Sequence, residues 1–292
     1  MFLQQVINGI MLGSTYSLVA IGYSLVFGVI KIVNLSNGSF YMLGSFIALV
    51  FFLAFSGHFL LAIILAIIIN GILGLCMDKF ALRRLRTTNA PPMASIISTM
   101  GVSIILENVV LVFISNKTEP FPNVINFGNL HIGKAVIGST QIIIFLTALV
   151  LMVAVSLIVN ITKMGRAMRS ISQNVTAAYL MGVNVNQVIS TTFIMSAALA
   201  AVSGILVGMY YQAIDVNMSL SVGMKTFAAA VLGGVGVLPG AMIGGLIIGV
   251  AESIGASYIS SGYRDAIAFA IMIIVLIVRP TGILGKKDLE KI

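Results

Sequence analysis

Residues 163–185 read KMGRAMRSISQNVTAAYLMGVNV, a polar and basic stretch set between two apolar runs, 140–160 and 188–210. Runs of about twenty apolar residues are long enough, as α-helix, to cross the ~30 Å hydrocarbon core of a bilayer. A polar stretch between two of them reads as a loop between membrane spans, and the same alternation recurs along the whole chain. Apolar segments fall at 3–30, 38–56, 59–77, 93–115, 140–160, 188–210, 241–256 and 265–279. A ninth, 218–236, is shorter, contains Lys225 and runs into GGVGVLPG (Gly233 to Gly240), so it reads as a crossing with a broken or re-entrant end. The expected fold is an all-α polytopic membrane protein of about eight or nine transmembrane segments, one membrane domain over 1–292.

Composition excludes the other classes. The chain has 292 residues, 59% hydrophobic and only 8% charged, with a mean hydropathy of +1.13, far outside the range of soluble domains. The long uninterrupted segments do not alternate as the strands of an outer-membrane barrel do. With Cys76 as the single cysteine, disulfides and paired-thiolate chemistry within the chain are excluded. A net charge of +8 on a soluble protein would suggest nucleic acid. Here the basic residues cluster in loops and report topology, and no nucleic-acid partner is expected.

Lys and Arg near span ends are retained on the cytoplasmic side. Lys79, Arg83, Arg84 and Arg86 precede Pro91, Lys163, Arg166 and Arg169 open the quoted stretch, and Lys286, Lys287 and Lys291 close the chain. All three regions are expected inside, which requires 218–236 to cross and puts the loops at 116–139, 211–217 and 257–264 outside together with the N-terminus. The first basic residue is Lys31, so no cleavable signal peptide is expected.

The loop at 161–187 has an internal pattern. Met164, Met168, Ile171, Val175, Ala178 and Gly182 are spaced 4, 3, 4, 3, 4, the seam of one helical face, with Arg166, Arg169, Ser170, Gln173 and Thr176 opposite. Two readings fit. One is an interfacial helix lying on anionic lipid; the other is a docking element for a second protein, for which the small residues Ala177, Ala178 and Gly182 argue, since a groove demands close approach.

The order GRAMR…N…AA…GVN in this loop, from Gly165 through Arg166, Arg169, Asn174, Ala177 and Ala178 to Gly182, resembles the cytoplasmic coupling loop of ATP-binding-cassette importer permeases. Two further blocks, Leu12 to Gly44 and Phe227 to Ser253, and RPTGILG (Arg279 to Gly285), resemble the first of the two permease subunits of the branched-chain amino acid importer. The resemblance implies a bacterial inner-membrane permease with no cofactor of its own. Its partners would be a second homologous permease, two ATPase subunits and a periplasmic substrate-binding protein, and the loop would seat in a groove of the ATPase. Alternatives are an importer of another small solute such as urea or short amides, and a self-sufficient channel or secondary carrier.

The sequence is consistent with dependence on an external ATPase. GNLHIGKA (Gly128 to Ala135) has Gly and Lys at Walker spacing but ends in Ala where Mg²⁺ needs a hydroxyl, and no strand precedes it. Ionisable residues within spans are few, each costing ~2.5–3.5 kcal/mol near the membrane centre on insertion scales. Glu107, beside Asn108, reads as either a functional group or a hydrogen-bonded packing residue. Glu252 reads as solvated at an external span end, and Arg264 with Asp265 as a surface pair. Tyr258 and Tyr263 suit an interfacial position. His58 and His131 fall in external loops without a ligand cluster, and no metal site is expected.

The translocation path is sought in polar breaks. NLSNGS supplies Asn34, Ser36, Asn37 and Ser39, which reads either as unwound backbone lining a cavity, suited to a zwitterionic amino acid, or as a short cytoplasmic turn after Lys31, the simpler reading. Gly240 with Gly244, and Gly245 with Gly249, have small-xxx-small spacing and read as helix-packing positions, within the subunit or between permeases.

Overall fold

Every apolar segment read from the sequence forms a helix in the computed structural model, which describes residues 2–55, 57–88, 90–114, 116–122, 128–132, 135–279 and 281–285. In chain order they are α1 (Phe2–Ile30), α2 (Asn37–Ala54) and α3 (Phe59–Cys76), the last continuing through a π-helical turn (Met77–Leu82) into α4 (Arg83–Thr87). Then come α5 (Pro92–Phe113), α6 (Ser139–Ile161), α7 (Lys163–Gln173), α8 (Val175–Leu180), α9 (Val185–Tyr211), α10 (Met218–Gly233), α11 (Leu238–Tyr258) and α12 (Arg264–Val278). Among the described residues seven helices are long and apolar enough to cross a membrane, counting α3 with its extension as one; α10 and α12, at 16 and 15 residues, are shorter.

The helix ends sort into two groups. At one end Gly28 meets Gly236, Ile283 and Leu284 donate backbone N–H groups to Leu232 and Gly233, and Ser190 donates to Asp78. At the opposite end Gln4 hydrogen-bonds Val136. There β1 (Glu119–Pro120) also pairs antiparallel with β4 (Ala213–Ile214), and β2 (Asn129–Ile132) with β3 (Ala135–Gly138). The first end gathers the loops whose Lys and Arg content marks them as cytoplasmic, and the second gathers the loops expected outside. The terminal lysines 286, 287 and 291 lie outside the described residues.

α1 is the centre of the bundle, with α11, α9, α6 and α10 around it and every residue from Met11 to Val26 buried. Its contact with α11 is glycine-mediated. A Cβ on Gly9 would reach the Val250 backbone at 2.5 Å and one on Gly13 the Leu246 backbone at 2.8 Å, so the two backbones touch, the packing mode membranes favour where apolar burial gives no drive. α5 is the opposite case. Only Ser95, Thr99 and Val110 are buried on it, while residues such as Ile97, Ile104 and Phe113 lie open.

The stretch after α1 is not the cytoplasmic turn that the simpler reading expected. The Asn37 side chain donates to the Val19 carbonyl, eleven positions before the end of α1 at Ile30, ~16 Å back along the helix axis. Residues 31–36 therefore re-enter the bundle and α2 begins near its mid-depth. The reversal starts at Lys31, which holds φ +54°, the left-handed helix-ending conformation usually taken by Gly, and donates its N–H to Phe27. Burial of unwound backbone requires partners. Leu35 N–H donates to Thr99 Oγ1, and the Asn34 carboxamide oxygen accepts from Ser36 N–H and Ser36 Oγ.

Candidate functional site

The break after α1 brings two helix N-termini together. α10 starts where Asp215 Oδ1 accepts the Met218 N–H, and its second residue, Ser219, lies against Gly38 and Ser39 of α2. α2 runs from this point toward the β1–β4 end and α10 toward the basic end, so the two helices lead away from it to opposite sides. Positive helix-dipole ends converging inside a membrane are a common way of building a substrate or ion site.

At the convergence stands Glu107 of α5. Its Oε1 accepts from Ser219 at 2.7 Å, Ser103 at 3.1 Å and Ser39 at 3.2 Å. Ser39 Oγ also lies 2.5 Å from Ser103 Oγ and 3.1 Å from Ser219 Oγ, so three hydroxyls share their protons among themselves and one carboxylate oxygen. Beside them opens a cavity of about 170 Å³ lined by Tyr23, Leu35, Met100, Ile104, Leu220 and Met224 along with Ser103, Glu107, Ser219 and Gly223. Of the path residues read from the sequence, the structure groups Ser39 with Glu107. Asn34, Ser36 and Asn37 stand behind them, each at most 2% exposed, with Ser196 donating to Asn37 Oδ1. Ser103 and Ser219 were missed. Ser103 precedes Glu107 by four residues on one helix face and was legible; Ser219 joins only through the fold.

Three other acidic groups near the spans are engaged by cations. Asp78, fully buried in the π-helical turn and not singled out from sequence, pairs with Arg86 at 2.5 Å and accepts from Ser190 at 2.6 Å. Glu252 is not solvated but 1% exposed, with Lys225 of α10 at 3.1 Å. Asp265 does not form the surface pair with Arg264: it too binds Lys225, at 2.5 Å. The correction has one cause, since the α10–α11 hairpin packs tightly and a buried Lys225 draws both carboxylates.

Of the four glycines read as packing positions, two close that hairpin and two pack α11 on α1. A Cβ on Gly240 or Gly244 would strike the Gly233 or Ala229 carbonyl of α10, and one on Gly245 or Gly249 would strike Ser17 or Gly13 of α1. Their close contacts lie within this chain.

The quoted loop is not one helix. Asn174 takes an extended conformation (φ −159°, ψ 111°) and separates α7 from α8. Thr162, Asn174 and Asn184 each cap the helix that follows, accepting from Gly165, Ala177 and Gln187 N–H. Met168, Ile171 and Ala178 of the expected seam turn toward the permease body and are buried. Gly165 lies against the Val159 backbone, and Arg169 donates back to the carbonyls of Val159 and Asn160. Arg166, Asn174 and Ala177 are exposed. So are Val175, Tyr179, Leu180 and Met181, the last 85%. Gly182 has φ +83° with nothing near its Cβ direction. It ends α8 as a turn glycine.

His58 Nδ1 lies 2.7 Å from the Phe55 carbonyl, and Tyr258 and Tyr263 are exposed. The Walker-like match includes residues 133 and 134, which lie outside the described residues, as does the side chain of His131. Among the described residues no group of three or more His, Cys, Asp or Glu could hold a metal.

Spans packed through glycines, a polar break at mid-depth and a short helix pair carried outside the bundle at the basic end define a membrane transport permease. A family model described as "Branched-chain amino acid transport system / permease component" matches residues 5–276. The chain is 39% identical to the high-affinity branched-chain amino acid transport system permease protein LivH of Escherichia coli K12, over all of this chain and 98% of that protein. Identity to the corresponding permease protein BraD of Pseudomonas aeruginosa is also 39%, with the same coverage, and to the probable permease LivH of Methanocaldococcus jannaschii 28%, over 92% and 88%. The chain belongs to the branched-chain amino acid transport system permease family.

Proposed function

We propose that this chain is the transmembrane permease subunit of an ATP-binding-cassette importer that moves branched-chain, hydrophobic amino acids across the bacterial inner membrane. The observation that carries the reading is the mid-depth site where the Glu107 carboxylate and the Ser103 and Ser219 hydroxyls line an apolar-walled cavity, with Ser39 and the N-termini of α2 and α10 beside them. A zwitterion with an aliphatic side chain needs polar groups at one end and an apolar wall at the other. Urea or a short amide would gain nothing from the wall. The path, with Asn34, Ser36, Asn37, Ser39 and Glu107, works by alternating access against a second homologous permease, which covers the open face of α5.

The chain acts as one permease domain over 1–292 with a coupling loop at about 161–187, and is not itself an enzyme. Energy comes from two separate ATPase subunits, and a periplasmic binding protein delivers the substrate. In this loop Gly165 and Arg169 hold α7 to α6, while Arg166, Asn174, Ala177 and Gly182 frame α8, whose exposed Tyr179, Leu180 and Met181 enter the ATPase groove. Exposed apolar side chains at the tip of a basic loop support docking over lipid adhesion, because they project from the bundle end and not from its sides.

The experiment is reconstitution. Proteoliposomes holding this chain with the second permease and both ATPases, supplied with loaded binding protein, accumulate leucine only with ATP inside the ATPase-bearing face. Vesicles holding the chain alone accumulate none. Leucine uptake by the chain alone would establish a carrier and overturn the proposal.

A further inference from the structure

Moving an amino acid through a low-dielectric path leaves its ammonium short of the hydrogen bonds and counter-charge that water supplied, at a cost of several kcal/mol unless the path replaces them. The acidic groups around the helical bundle differ sharply in what they have left to offer. Asp78 is held by Arg86 and Ser190, and Glu252 and Asp265 by Lys225. Glu107 has no cationic partner among the described residues. All three of its hydroxyl contacts end on Oε1, and its residue lines the cavity.

The cavity's other walls supply the second half of the recognition. Leu35, Met100, Ile104, Leu220 and Met224 are apolar, and no further ionisable group except the Tyr23 phenol takes part. Tyr23 already donates to the Gly223 carbonyl. Its volume of about 170 Å³ is that of five or six waters at ~30 Å³ each, room for one aliphatic side chain. The Glu107 carboxylate takes the ammonium, the positive ends of α2 and α10 balance the substrate's own carboxylate, and the uncharged wall offers no partner to a charged side chain.

We infer that Glu107 binds the α-ammonium of the transported amino acid at mid-membrane, with the branched side chain seated against Leu35, Met100, Ile104, Leu220 and Met224. The inference rests on the importer reading above and adds a residue-level basis for selecting zwitterionic amino acids with uncharged, aliphatic side chains inside the permease, beyond whatever selection occurs before delivery. Ser39, Ser103 and Ser219 position the carboxylate by fixing Oε1. A path needs weak binding, and one counter-charge provides enough attraction to admit the substrate and little enough to release it.

The test uses the assembled complex of both permeases and ATPases in nanodiscs, without the binding protein, and measures binding of radiolabelled leucine. Wild type binds leucine; Glu107→Gln, which keeps shape and hydrogen bonding but removes the charge, weakens binding at least tenfold, and Glu107→Asp restores part of it. Leucine methyl ester, which keeps the ammonium, competes; 4-methylpentanoate, which lacks it, does not. A second variant does not touch the carboxylate. Leu220, 71% exposed, tolerates Leu220→Phe, which fills the cavity and lowers leucine binding relative to alanine. Unchanged leucine binding in Glu107→Gln, equal competition by 4-methylpentanoate, or no leucine binding by wild type would each overturn the inference. ATP-driven leucine uptake by the same wild-type complex, once binding protein is added, stands or falls separately and reports on the importer reading.

Discussion

Lys225 is 4% exposed on α10, with Glu252 3.1 Å and Asp265 2.5 Å from its ammonium. One cation serving two carboxylates from two other helices ties α10, the shorter of the two helices that start at the site, to α11 and α12. Removing one member of a buried pair leaves an uncompensated charge and typically costs ~3–5 kcal/mol, more than the pair itself is worth. Lys225→Met is therefore expected to lower the thermal midpoint of the detergent-solubilised protein by several degrees, and adding Glu252→Gln is expected to recover most of the loss. Equal melting of the single and double variants would mean that the pair carries no such role. None of this was legible in the sequence. Glu252 reads as a span-end residue because its partner lies 27 positions away, and the register bringing them together is set by Gly233 against Gly240 and Ala229 against Gly244. Glu107 was legible as a candidate because an acid deep in an apolar run is rare; that Ser219 would complete its shell was not.

The elements were legible as helices and not as paths. Nine apolar segments become helices because twenty-residue apolar runs permit nothing else in a bilayer. NLSNGS was ambiguous because Asn and Ser suit a solvated turn and an unwound membrane segment equally, and only the Asn37 bond to Val19 decides. In the basic loop the 4, 3, 4, 3, 4 seam suggested a single helix, while Asn174 was already a cap signal against it. The break divides the labour. α7 braces, through buried Met168 and Ile171, and α8 protrudes. Met181→Asp, at 85% exposure, is expected to leave membrane abundance unchanged, to lose the ATPase on co-purification and to abolish ATP-driven uptake. Met168→Asp, which buries a charge, is expected to lower abundance instead. Retained ATPase binding in Met181→Asp would remove the docking role from α8. Gly182→Arg is a poorer probe, because φ +83° strains any side chain by roughly 1 kcal/mol whether or not a partner is near.

At the scale of the whole molecule, the fold makes the charge argument stronger than the loops alone could. Lys31, Lys79, Arg83, Arg84, Arg86, Lys163, Arg166, Arg169 and Arg279 all belong to segments gathered at one end, whereas the described segments at the other end hold Lys117 and Arg264. Basic residues flanking spans orient a polytopic protein with their side inward, so the end bearing α8 is expected to face the cytoplasm, where ATP is, and the β1–β4 pair to face the periplasm, where the proposed binding protein would dock. Orientation and coupling are thus one claim: α8 can meet an ATPase only if the basic end is inside. Single cysteines test it in a Cys76→Ala background. Tyr258→Cys, 61% exposed at the far end of α11, is expected to react in intact cells with a membrane-impermeant maleimide once the outer membrane is permeabilised. Thr176→Cys, exposed on α8, is expected to react only after the inner membrane is opened. Labelling of Thr176→Cys with the inner membrane sealed would invert the molecule, take α8 away from any ATPase and leave the importer reading without its energy source.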